Sequence, residues 1–264
     1  MTTPDEPVLG PADLFDLTGL RALVVGGTGV LGGRFSRVLA AGGAEVVVAG
    51  RSAERGAEVV DAITAAGGTA SFLELDVTSR EDARRAAETT RAAGGVDILV
   101  LAPGVNDATP FAELTDETWE RLLDVNLGSM FRLAQEFAPL LAERPGGTII
   151  TVSSASSGPP LSRVLAYGVS KAGVNNLTQY LARELAGQGT RVNAIVPGFF
   201  PAEQNRAILS AERVASIENH TAMRRLGSPH ELDGALLWLA SPRASGFVTG
   251  ALIRVDGGFS AMTI

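Results

Sequence analysis

Short runs of Val, Ile, Leu and Ala recur along the chain with no polar residue alternating inside them, at 22–25, 45–49, 70–75, 98–101, 148–152, 191–195 and 251–255. A strand that is apolar on both sides needs cover on both faces, which is the condition of a parallel sheet packed between helices. The stretches between these runs are longer and amphipathic, and predict helices over 30–41, 53–66, 80–93, 117–142, 164–186 and 231–239. Thr78, three residues before Glu81, has capping-box spacing. Thr115 stands before an acidic first turn, Asp116 and Glu117. Gly67-Gly68, Gly94-Gly95 and Gly187 fall where helices are expected to stop. Strand–helix alternation of this kind implies right-handed crossovers and a single-domain α/β doubly wound (Rossmann) parallel sheet of about seven strands, with helices on both faces. No linker divides the pattern, so one domain is expected over 15–264, with residues 1–14 a flexible tail.

Composition narrows the chemistry. The 264 residues, 45% hydrophobic and 19% charged, suffice for a large core without staples. With no cysteine, a disulfide framework and thiolate catalysis are excluded. Two histidines, His220 and His230, argue against a zinc site, and no metal is expected. A net charge of −7 gives no general attraction to nucleic acid or an anionic membrane. The acidic, proline-bearing start has no basic or apolar signal region, and no apolar run reaches 18 residues. The expected location is the cytoplasm. Glycine is in excess, 31 residues or roughly 12% against a usual ~7%, which predicts tight turns and close backbone approaches.

The first of these follows the first strand directly, in Gly26-Gly27-Thr28-Gly29-Val30-Leu31-Gly32-Gly33. Strand, glycine-rich turn and helix place backbone N–H groups and a helix N-terminus against a pyrophosphate. The triphosphatase pattern GxxxxGK[ST] is absent. At the tip of the second strand stands Ala49-Gly50-Arg51-Ser52, without the carboxylate that binds an NAD ribose. Arg51 can pair with a 2′-phosphate and Ser52 can donate to it, so NADP(H) is favoured over NAD(H).

Tyr167 and Lys171 are four residues apart in a predicted helix and therefore share a face. A phenol beside an ammonium is easier to ionise, and a tuned tyrosine can exchange a proton with an alcohol or carbonyl oxygen. Ser154 ends the fifth strand 13 residues upstream, and Asn126 lies in the long fourth helix. With the glycine-rich start and Val255-Asp256-Gly257-Gly258 near the end, the sequence resembles the short-chain dehydrogenase/reductase family over nearly its whole length. That resemblance implies a general acid/base in Tyr167, and in Lys171 a residue that lowers its pKa and holds the nicotinamide ribose. Ser154 would orient the substrate oxygen, and Asn126 would hold a water linking Lys171 to solvent. For the cofactor it implies Gly26, Thr28, Gly29, Leu31, Gly32, Arg51, Ser52, Asp76 and Val77 (these two at the adenine), Ala102, Gly104, Pro197, Gly198 and Phe200, besides Tyr167 and Lys171.

The family's TGxxxGxG is altered here at its leading Thr and middle Gly, and its NNAG is Leu101-Ala102-Pro103-Gly104. Ala202 replaces the Thr expected after the PG segment. The C-terminal third, with Pro160-Leu161-Ser162-Arg163, is similar to the mannonate (fructuronate) oxidoreductase-like subgroup, which implies a sugar acid or polyol as substrate. Asn106, Arg163, Gln204 and Asn205, with Arg206, are the candidate substrate contacts. Arg163 is equally readable as a loop cap or a subunit contact, and 204–206 as a solvated first turn. A reductase of another small ketone, a non-catalytic dinucleotide sensor, and a dehydratase or epimerase that recycles its cofactor remain alternatives. The wide apolar surface of the long fourth helix, with the family resemblance, implies a homotetramer, or a homodimer.

Overall fold

The seven apolar runs form seven parallel strands: β1 Arg21–Val25, β2 Glu45–Gly50, β3 Ala70–Glu74, β4 Ile98–Leu101, β5 Thr148–Val152, β6 Arg191–Pro197 and β7 Leu252–Val255. They join in one sheet in the order β3-β2-β1-β4-β5-β6-β7, in a computed structural model that describes residues 8–200 and 210–262. The order reverses beside β1, where the chain crosses from β3 to β4. That is the switch point at which such sheets open a ligand crevice at their carboxyl ends.

Helices α2 Val30–Ala41, α3 Ala53–Ala65, α4 Arg80–Ala92, α5 Asp116–Leu123, α6 Ser129–Ala142 and α7 Leu165–Leu185 fill the connections, after a short α1 at Pro11–Leu14. Later come α8 Ala211–His220, α9 Asp233–Ala240 and α10 Pro242–Ser245. Two cores result, one on each face of the sheet. Phe35, Leu39, Val59, Ile63, Leu236 and Leu239 pack on one face, and Ala83, Met130, Leu133, Phe137, Val174 and Ala182 on the other.

Several local expectations are corrected. Residues 11–14, expected within a flexible tail, form a helical turn whose Leu14 and Asp13 carbonyls accept from Ser241 and Arg243. The cap of α4 is Ser79, which accepts from the Asp82 N–H at 3.1 Å; Thr78 instead bonds back to Asp76. The left-handed residue that follows α7 and its last 3-10 turn is Gly189, with φ of 79°, rather than Gly187. The long fourth helix is broken by a π-turn over Asp124–Gly128.

Candidate active site

Glycines shape the β1–α2 turn by letting backbones meet. Gly26 has φ of 78°, and a Cβ there would stand 2.8 Å from the Ala102 carbonyl oxygen. At Gly32 a Cβ would stand 2.1 Å from the Gly26 carbonyl oxygen, so no other residue fits without moving the turn. Gly29 is the N-cap of α2, whose first-turn N–H groups, including that of Leu31, lack intrahelical acceptors. Thr28 packs its side chain on the bare backbone of Gly50 at the tip of β2. The cradle is a concave row of backbone suited to an anion.

Arg51 follows that tip and is exposed. Ser52 does a different job from the one expected of it first: its Oγ caps α3, accepting from the Arg55 N–H at 3.3 Å. Its hydroxyl proton is not used by that bond. Beyond β3, Asp76 accepts from the Thr78 N–H and hydroxyl, which hold its carboxyl below the usual range, with Arg51 and Arg132 adding to the effect. Val77 is half-buried against the second core.

The catalytic candidates converge at the carboxyl ends of β4, β5 and β6. Ser154 leaves β5 in extended conformation, and its Oγ accepts from the Ser156 N–H at 3.1 Å. Tyr167 and Lys171 share a face of α7. The Lys171 ammonium lies 5.8 Å from the Tyr167 ring centroid and donates to the Val152 carbonyl at 2.8 Å. Burial pushes the Tyr167 phenol above its ordinary value while the Ser154 hydroxyl pulls it down, and burial pushes Lys171 down to about 8. The lowering expected from Lys171 is not found: desolvation raises the phenol, and the one opposing pull comes from the Ser154 hydroxyl.

Asn126 is fully buried in the π-turn. Its Oδ1 accepts from the Val105 N–H at 2.8 Å, and its Nδ2 donates to the Val105 carbonyl at 2.9 Å and to Ser170 Oγ at 3.0 Å. Both ends of its side-chain amide are thus engaged by protein groups. Gly104 faces the pair, since a Cβ there would sit 3.6 Å from Lys171 Nζ and 3.8 Å from Asn126 Oδ1.

On the other rim, Pro197 closes β6, and the Gly198 N–H donates to the Val255 carbonyl at 2.9 Å. Phe200, expected at the cofactor, has its ring buried in the first core against Gly227, so only its backbone is left for a ligand. Among the substrate candidates, Asn106 is exposed and bonded to the neighbouring Asp107 N–H. Arg163 has φ of 65°, and its Nε donates to the Ala108 carbonyl at 3.3 Å, which ties two loops at the cleft mouth. Gln204, Asn205, Arg206 and Ala202 lie outside the described residues. Arg213 of α8, not anticipated from sequence, holds the Ser162 hydroxyl and carbonyl, each at 2.9 Å.

The family model described as enoyl-(acyl carrier protein) reductase matches residues 29–260. The chain belongs to the short-chain dehydrogenase/reductase family. It is 39% identical over 268 residues to the uncharacterized oxidoreductase UxuB of Bacillus subtilis, covering 93% of this chain and 96% of that one. A 3beta-hydroxysteroid dehydrogenase of Eggerthella lenta is 38% identical over 254 residues, covering 93% and 95%. A gluconate 5-dehydrogenase from Burkholderia cenocepacia, solved in complex with NADP and tartrate, superposes with a TM-score of 0.92 at 32% identity, covering 96% of this chain and all of that one. As a short-chain dehydrogenase/reductase the protein is an oxidoreductase that acts on alcohol groups, and a nicotinamide dinucleotide is its cofactor class.

Proposed function

We propose that this short-chain dehydrogenase/reductase interconverts a secondary alcohol and a ketone with NADP(H), on a sugar acid or polyol. The observation that carries the reading is the convergence of Ser154, Tyr167, Lys171 and Asn126 at the same end of the sheet as the glycine cradle. The bare backbone at Gly26, Gly29 and Gly32 fits a pyrophosphate, and Arg51 with the free proton of Ser52 suits a 2′-phosphate at the β2 tip. Asp76 and Val77 would receive the adenine, and Lys171 with Tyr167 the nicotinamide ribose. When bound, the dinucleotide supplies or accepts the hydride.

The chain's own groups handle the oxygen. Ser154 accepts from the Ser156 N–H, and its hydroxyl bonds the Tyr167 phenol, a bond that a substrate oxygen would share. It would hold the substrate oxygen while Tyr167 gives that oxygen a proton in reduction and takes one in oxidation. Exposed Arg163, fixed by its Nε, leaves the rest of its guanidinium for a carboxylate at the cleft mouth. That favours a sugar acid over a steroid, although a hydroxysteroid enzyme is among the relatives.

The deciding experiment follows NADPH and NADH in parallel across a panel of keto-sugar acids, polyols and ketosteroids. Turnover of a sugar acid with NADPH is expected, and clear NADH preference would overturn the role given to Arg51. Tyr167→Phe is expected to lose about 10²–10⁴-fold in turnover while still binding NADPH. Near-equal rates would remove the phenol from the mechanism. We also propose that copies of the chain assemble in solution, as a homotetramer or a homodimer, and that the protein works in the cytoplasm.

A further inference from the structure

The amide of Asn126 is fixed by Val105 and Ser170, but its backbone belongs to a π-turn, a rare form of helix that side chains around it can brace. Arg132, in the first turns of α6, does so. Its Nη1 pairs with Asp124 Oδ1 at 2.8 Å, at the start of the π-turn. Its Nη2 lies 3.4 Å from the Asp124 carbonyl oxygen and 3.3 Å from that of Val77, and donates to both. Gly128 makes the space, since a Cβ there would stand 3.0 Å from Asp124 Oδ1 and 3.3 Å from Arg132 Nη1. The Arg132 side chain is 16% exposed, and its Nε is buried without a hydrogen-bond partner among the described residues. The Asp124 side chain is 44% exposed, so the pair is sheltered on its Arg132 side alone, whereas both partners of the Arg84–Glu81 pair on α4 stand in solvent.

One guanidinium thus grips two places at once: the Asp76–Val77 segment and the turn that carries Asn126. The contacts run from Val77 through Arg132 to Asp124, along the π-turn to Asn126, and from its amide to Val105 and Ser170. Ser170 in turn donates to the Tyr167 carbonyl at 2.7 Å.

We infer that Arg132 couples the adenine end of the cofactor cleft to the Asn126–Val105 contact, so that occupancy of one end orders the other. The inference rests on the reading of Asp76 and Val77 as the adenine segment. Arg132 is a positioning residue: its partners are protein groups at both ends. Because coupling between two sites is reciprocal, a ligand that touches only the adenine end suffices to reveal it.

Adenosine 2′-monophosphate is such a probe, and amide hydrogen exchange of the full chain reads both ends separately without any substrate. In the wild type, a saturating amount is expected to slow exchange in the segment after β3, around residues 76–79. It should also slow exchange at 103–107 by about fivefold or more, the lower end of usual coupling factors. In Arg132→Gln the protection at 76–79 is expected to survive and that at 103–107 to vanish. Arg132→Lys, which keeps the charge on Asp124 and guards against a merely unfolded variant, is expected to retain part of it. Protection at 76–79 without protection at 103–107 in the wild type overturns the inference and leaves the adenine reading standing. So does remote protection that persists undiminished in Arg132→Gln. Absence of protection at 76–79 in the wild type overturns the adenine reading, and the inference with it.

Discussion

Burial moves Tyr167 and Lys171 in opposite directions on the pH scale and towards the same end, the neutral form of each. The sign of the pH dependence follows. With its pKa raised, the phenol holds its proton through neutral pH and is ready to give it to a ketone. Alcohol oxidation needs that proton gone. Oxidation should therefore accelerate as pH rises through the alkaline range, while reduction slows, as initial rates measured in both directions would show. An oxidation rate that peaks below neutrality would contradict the role of Tyr167 as base. Tyr167, Lys171 and Ser154 were legible in sequence by their placing, a helical i,i+4 pair and a serine just past a strand, whereas Asn126 was legible only through the family resemblance. Arg132 was not legible, because a charged residue on an amphipathic helix looks the same whether it faces water or braces a turn. Nor was the burial of the Phe200 ring, since the sequence places a residue beside a cleft without saying which way it turns.

At the scale of elements, the strands were readable almost to the residue because cover on both faces makes them mostly apolar, with few polar positions such as Asn193 and Arg254 within them. The π-turn escaped notice because one extra residue in a helix shifts the apolar stripe without interrupting it. Helix α8 was missed for the opposite reason: only Ile217 of its ten residues is buried, so it has almost no stripe to read. The β1–α2 turn offers the cleanest test at this scale. Gly32→Ala must push a methyl group into the Gly26 carbonyl, and is expected to cost about 1–3 kcal/mol of stability and to weaken NADPH binding. Gly187→Ala meets nothing within 4 Å and should leave the melting temperature unchanged or slightly higher. Thermal melts with and without NADPH separate the two, and equal behaviour would contradict the close-packed turn.

The whole molecule keeps its candidate chemistry at the carboxyl ends of the strands, and a second ionic brace stands at the other ends. There the Asp97 carboxylate accepts from the Arg21 N–H at 2.8 Å and from Arg144 at 2.7 Å. Between the two ends, α6 and α7 expose Phe131, Leu165, Val169 and Tyr180, apolar side chains that water covers poorly. If copies of the chain meet on this face, Val169→Asp combined with Tyr180→Asp is expected to shift the mass in light scattering to a smaller species. An unchanged mass would place the assembly surface elsewhere. The strand order carries a further consequence, for how the chain reaches this state. No strand pairs through a hairpin: Arg21 meets Glu45, 24 residues on, and Ala22 meets Ile98 only after β2, β3 and their helices have been made. Every rung of the sheet must wait for a crossover helix, so refolding should be slow beside that of a helical bundle of like stability. On the ribosome, the apolar strands β1 to β3 emerge long before their central neighbour β4, and must stay unaggregated until it arrives.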